Sequence, residues 1–130
     1  MYDVVDITNE EKDPLMLRVS FWEDSETRKI AQRALVPAEG ALIYGCFERG
    51  ILKGVMSFRF VEEDKIKRIC TATFPQGLGI GALLVETLRE NYPNKKHFCF
   101  TRPESRFFPE KLGMKLKEVL PDGRLHFEDN

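Results

Sequence analysis

The stretch Phe74-Pro75-Gln76-Gly77-Leu78-Gly79-Ile80-Gly81 constrains this chain more than any other. A β-rich apolar run, Ile69 to Phe74, leads into it, and a helical pattern, Ile80 to Tyr92, leads out. Three glycines at alternate positions between a strand and a helix are hard to place in an ordinary loop. Glycine takes left-handed dihedrals without steric cost and lets a ligand approach the main chain closely. The helix that follows offers unpaired amides and the positive end of its dipole. Together these predict a cradle for a phosphate or pyrophosphate. The plain alternative is a tight turn that holds nothing.

Spacing removes two common owners of such a cradle. A dinucleotide fingerprint needs G-x-G-x-x-G, with an acidic residue roughly 20 positions further on. A Walker A loop ends in Gly-Lys-Ser/Thr, whereas Gly81 is followed by Ala82 and Leu83. What remains is Gln76-x-x-Gly79-x-Gly81.

The 130 residues, 42% of them hydrophobic and 32% charged, suit one globular domain spanning 1–130 with a real core. With 20 basic and 21 acidic residues the net charge is −1, which argues against a broad nucleic-acid footprint. No run of 18 apolar residues and no secretory leader pattern occurs, so no membrane partner and a cytoplasmic location are expected. Cys46, Cys70 and Cys99 sit in separate apolar segments without a CxxC or Cys/His cluster. They read as reduced core thiols, and no metal site is expected.

Around the glycine turn the chain divides into short elements. Val4 to Ile7 reads as a strand, and Thr8 and Glu11 have capping-box spacing. Helices are expected over Leu15 to Ser20 and, capped by Asp24 or Ser25, through Leu35. Ala41 to Phe47, Ile51 to Val61 and Ile66 to Phe74 form a meander, antiparallel because its turns are short. His97 to Thr101 follows a whole helix and can therefore run parallel to the strand before it. A short helix from Pro103 or Pro109 ends near Leu112, with Gly113 at a left-handed C-cap. Lys115 to Leu120 and Arg124 to Glu128 flank the turn Pro121-Asp122-Gly123. The expected fold class is α/β (α+β): a mixed, mostly antiparallel sheet of six to seven strands flanked by about four helices.

This order and the Gln76-x-x-Gly79-x-Gly81 loop resemble the GNAT superfamily of N-acetyltransferases, whose acyl-coenzyme A signature is Gln/Arg-x-x-Gly-x-Gly/Ala. Phe107-Phe108-Pro109-Glu110-Lys111-Leu112-Gly113-Met114 is similar to that family's later Phe-Tyr-Glu-Lys-Leu-Gly-Phe segment. The resemblance runs from about Val4 to Phe127 and is weakest before Ala41. It implies acetyl-CoA as acyl donor and an unidentified amine acceptor, on a small molecule or a protein. Main-chain amides of Gly77, Leu78, Gly79, Ile80, Gly81 and Ala82 would take the pyrophosphate, with Gln76 shaping the loop. Thr71, Ala72, Thr73 and Phe74 would splay from the neighbouring strand, bond the pantetheine arm and polarise the thioester carbonyl.

The resemblance also implies a proton donor for the departing thiol, commonly a tyrosine four residues before the late glycine. Here that position is Pro109. Ser105 is the replacement candidate, set against a plain role at a helix start. Phe21 and Trp22 fall where the family builds its acceptor pocket, set against ordinary core packing. Arg59 and Arg68 are weighed as a joint anion site against a surface pair. His97 and His126 read as structural or exposed. Two readings compete with the transferase: a catalytically silent acyl-CoA-binding or interaction domain, and a GNAT-fold enzyme modifying a nucleic-acid base, as in phage relatives. A nucleotide in the cradle is a further alternative ligand. Oligomeric state stays open, a homodimer included.

Overall fold

The computed structural model describes residues 1–129. Its elements are β1 (Tyr2–Asp6), α1 (Asp13–Val19), α2 (Ser25–Leu35), β2 (Leu42–Glu48), β3 (Ile51–Val61), β4 (Lys65–Thr73), α3 (Ile80–Asn91), β5 (Lys96–Thr101), α4 (Phe107–Lys111), β6 (Lys115–Val119) and β7 (Leu125–Glu128), with a single 3-10 turn at Pro103–Ser105. The strands form one sheet in the order β1-β2-β3-β4-β5-β7-β6. Among the described residues only β4 and β5 pair in parallel; α3 connects them, as a parallel crossover requires.

Alternation along the central strands supplies two apolar faces. Ile43, Val55 and Ala72 turn to one side and pack with Val19, Trp22, Ala31, Ala34 and Leu35 of the α1–α2 layer. Their neighbours Tyr44, Met56, Phe58 and Ile66 turn to the other and meet Ile80, Leu84, Val85 and Leu88 of α3. Burying those four α3 side chains is worth roughly 6–12 kcal/mol, so the helix is anchored by its core face rather than by its cap. Met114, Leu125 and Phe127 form a smaller cluster with Cys99 near the far edge.

Gly54 lets α3 lie this close. A Cβ there would stand 2.8 Å from Ile80 Cγ2 and 3.2 Å from both Leu84 Cδ1 and Thr73 Cγ2. Arg89 then ties α3 to the end of the chain: its Nε lies 3.0 Å and one terminal nitrogen 2.6 Å from the Asp129 carboxylate, and that nitrogen also donates to Leu112 O at 2.9 Å.

One expected feature fails. Thr8 and Glu11 form no capping box, because α1 begins only at Asp13. The Thr8 amide and hydroxyl both donate to Asp6 Oδ1, at 2.9 and 2.6 Å, and the hydroxyl oxygen accepts from the Ile43 amide at 2.9 Å. The residue closes a turn after β1 instead of opening a helix.

Candidate functional site

The site begins where β4 leaves β5. Their pairing runs from Lys65↔Lys96 to Arg68↔Cys99 and stops. Across from β3, Ser57 pairs with Cys70 and Phe58 with Arg68, so Ile69 is an extra residue in β4. A bulge of this kind bends and twists the strand that carries it. It coincides with the last β4–β5 pair, and the two strands part from there. The Phe74 amide donates to Lys53 O at 2.9 Å, towards β3. Alternation then aims the main-chain groups of Thr71 and Thr73 at the open side, where β5 no longer answers them.

A cavity of about 570 Å³ fills this gap. Thr71, Ala72 and Thr73 form one wall, and Gln76, Gly77, Gly79, Ile80, Gly81 and Ala82 form its floor. Thr27 and Ile30 of α2 close one side. Ser105, Phe107, Phe108, Lys111 and Leu112 close the other. Of the residues expected to bind cofactor, Phe74 and Leu78 do not line it. Phe74 stacks on Trp22, ring centroids 5.9 Å apart, and Leu78 faces outward.

The glycine turn has the required shape. Gly77 and Gly79 take φ of 84° and 78°, and a Cβ on either would meet nothing within 4 Å. Gly79 is the N-cap of α3 and brings no side chain to it, and the first bond of the helix is Leu83 N–H to Gly79 O, 3.0 Å. Among the described residues the amides from Gly77 to Ala82 donate no hydrogen bond, so the positive end of α3 opens into the cavity. Gly81 differs from the other two: it lies inside the helix, and its missing Cβ leaves room for Phe108, whose ring carbons would be 3.0 and 3.1 Å away. Gln76 braces the turn rather than reaching into it. Its amide nitrogen donates to Thr27 Oγ1 at 2.7 Å, and the Thr27 hydroxyl donates to Asp24.

Other candidates fall out differently. Ser105 ends the 3-10 turn, and its amide bonds Arg102 O at 3.0 Å. Pro109 is buried inside α4. No tyrosine lines the cavity among the described residues. Phe21 and Trp22 part company: Trp22 is 4% exposed in the core, Phe21 is 73% exposed, and neither lines the cavity. Arg59 and Arg68 do not act jointly, because the bulge pairs Arg59 with Lys67 and turns Arg68 inward. Arg68 is buried against Met114 Sδ (2.5 Å) and Cys99 Sγ (3.5 Å), and loss of hydration holds its pKa below the ordinary arginine value. His97 is also buried, with Nε2 3.2 Å from Tyr92 O. Thr27 is the site residue that sequence reasoning missed without any signal, since 49 positions separate it from Gln76. Lys111 and Phe108 belong to the late Phe107–Met114 segment, where nothing in the local sequence tells that their side chains reach the cavity.

No protein-family model matches the sequence, and no curated protein matches it. Solved structures do. A Desulfovibrio desulfuricans protein assigned to the GNAT acetyltransferases superposes with a TM-score of 0.75 at 17% identity, covering 98% of each chain. A Bacillus subtilis acetyltransferase in complex with CoA gives 0.72 at 13% identity over 100% of this chain and 99% of its own. A GNAT acetyltransferase from Elizabethkingia anophelis with acetyl-CoA bound gives 0.70 at 13% identity over 99% and 97%. At these identities the likeness is one of fold, and this chain has the GNAT acetyltransferase fold.

Proposed function

We propose that this chain is an acetyl-CoA-dependent N-acyltransferase that moves an acetyl group to an amine. The observation that carries the reading is the single cavity in which the open main-chain edge of Thr71 and Thr73 meets the free amides of Gly77 to Ala82. The residues fit the donor. The glycine turn and the α3 N-terminus suit the pyrophosphate, and Lys111 adds a cation at the rim. Thr71 and Thr73 suit an amide-rich arm, which can join the strand edge as a further strand would. Structures of the same fold hold acetyl-CoA and CoA. Bound acetyl-CoA would supply an activated thioester, whose thiolate leaving group is far less basic than an alkoxide.

That property bears on Pro109. A weakly basic leaving group makes the absent phenol less costly, and Ser105 is the hydroxyl on the α4 side of the cavity. Pro109 also supports a second reading, a domain that binds acyl-CoA without turning it over. Calorimetric titration with acetyl-CoA, followed by thiol release over a panel of amines, separates the two. Saturable binding with thiol release supports the transferase. Binding without release under any amine leaves the silent domain, and no binding refutes both.

A further inference from the structure

The sheet face shared with α1 and α2 is only half covered. The helix α2 packs on β3 and β4, and α1 on β3, while no helix packs extensively on β5, β6 or β7 among the described residues. The bare half is nonetheless aromatic. Cys99 turns towards Met114 and Phe127, so Phe98 and Phe100 emerge on the uncovered side, with ring centroids 5.8 Å apart. The His126 ring lies 5.6 Å from the first and 5.0 Å from the second.

Cations gather at one end of this floor. Lys67 Nζ stands 5.1 Å and the Arg124 guanidinium 5.3 Å from the centre of the Phe100 ring. Arg59 is the cross-strand partner of Lys67. Arg124 keeps Asp122 at 2.7 Å, but Lys67 has no carboxylate in ion-pair reach among the described residues. Burial, and then Arg59 and Arg124, lower the Lys67 pKa below its ordinary value. Besides Asp122, the carboxylates of this face lie by His126: Glu118, its cross-strand partner, at 3.8 Å, and Glu128, further along β7, at 3.1 Å. Lys67, Arg59 and Arg124 against Asp122 leave a net positive group beside the Phe100 ring.

That end is also the mouth of the gap. Phe100 is one residue past Cys99, the last β5 residue to pair with β4. The Thr71 main chain is three residues past Arg68, within roughly 10 Å along the strand.

We propose that this surface is the acceptor subsite and takes an aromatic α-amino acid as its free carboxylate. The carboxylate lies between Lys67 and Arg124, the side chain over Phe98, Phe100 and His126, and the α-amine enters the gap between β4 and β5. Charge complementarity selects the carboxylate, and the aromatic floor selects a flat apolar side chain. An α-amine is adjacent to its carboxylate, so anchoring one at the mouth presents the other to the gap. The inference rests on the acyl-transfer reading. In the reaction the amide N–C bond forms as the thioester C–S bond breaks, and the proton shed by the amine balances the one gained by the thiol.

The probe is 3-phenylpropionate, which has the ring and carboxylate but no amine, with 3-phenylpropanamide as its neutral partner. In amide-resolved NMR titrations of the whole chain the acid shifts resonances around Lys67, Phe98 to Phe100 and Arg124 to His126. It binds at least about tenfold more tightly than the amide, the ratio that 1.4 kcal/mol represents. Lys67→Glu abolishes that preference. Lys67→Met, which keeps the stem over Phe100, removes most of it. With acetyl-CoA, L-phenylalanine shows a KM at least about tenfold below that of L-phenylalaninamide. In Lys67→Met the two KM values converge. Equal binding of acid and amide, or shifts elsewhere, in a protein that still acetylates other amines overturns the inference and leaves the transferase reading standing. Binding here without thiol release from any amine overturns the transferase reading instead.

Discussion

Gly54→Ala is predicted to loosen the cofactor cradle from beneath. The new Cβ would lie 2.8 Å from Ile80 Cγ2, a β-branched methyl on the first residue of α3. Carbon contacts prefer about 3.5–4.0 Å, so the helix start must retreat by roughly 0.7 Å. Overpacking of this kind costs about 1–3 kcal/mol. Removing a glycine from a strand interior returns about 0.5–1 kcal/mol. The net is a loss of up to about 2.5 kcal/mol, or up to roughly 9 °C in Tm for a domain of this size. Gly45→Ala is the control, because its Cβ meets only side-chain ends: Ile7 Cδ1 and Phe47 Cε1 at 3.0 Å and Leu52 Cδ1 at 3.3 Å. Those can rotate, and they belong to the face away from α3. Thermal melts and coenzyme A titrations of both variants check the argument. Gly54→Ala should lose stability and affinity together, Gly45→Ala should lose less stability and no affinity. A Gly54→Ala protein that melts with the parent and binds coenzyme A normally would show that the seat of α3 does not depend on this glycine.

Gly79→Val meets no atom within 4 Å but forces a β-branched residue to φ near 78°, costing about 1–3 kcal/mol; it should fold, and calorimetry should show coenzyme A affinity reduced about tenfold or more. Ser105→Ala should lower kcat by up to about 100-fold while leaving coenzyme KM unchanged; an unaltered kcat removes Ser105 from the chemistry. Burial holds the His97 imidazole below its ordinary 6.5. The unfolded chain therefore takes up that proton first, and stability present above pH 6.5 is lost as pH falls through the folded value. Urea midpoints at decreasing pH should show this fall in the parent and less of it in His97→Gln. At the other extreme, burial, with Asp3 and Glu48, pushes the Cys46 thiol from 9.0 up to about 11. The unfolded thiol ionises first, so stability present below pH 9 should fall by about 3 kcal/mol between the two values, and Cys46→Ala should flatten that limb.

Local chemistry made much of the site legible. Gly77 and Gly79 do occupy the left-handed region that their spacing implied, and Gly113 does close α4 at φ 80°. The apolar repeat Ile80, Leu83, Leu84 and Leu88 placed α3, and the short turns among β2, β3 and β4 dictated antiparallel pairing. Thr8 misled because an Asp6 side chain two residues earlier competes for the same donors. Phe21 and Trp22 read as a pair although adjacent residues at the end of α1 diverge, one to the core and one to solvent.

By itself, then, the sequence determined the glycine turn, the helix it opens and the order of elements, because dihedral freedom and hydrophobic period are properties of neighbours along the chain. Contacts between distant residues belong to the tertiary structure. The fold decided that Ile69 would bulge and part β4 from β5, that Gly54 would admit α3, and that Thr27 would hold Gln76. It also turned Arg68 inward among sulfurs while leaving Lys67, one residue away, over Phe100 with Arg124. Strand alternation sets neighbours on opposite faces, but which face is filled by helices and which is left open depends on how the whole sheet is covered.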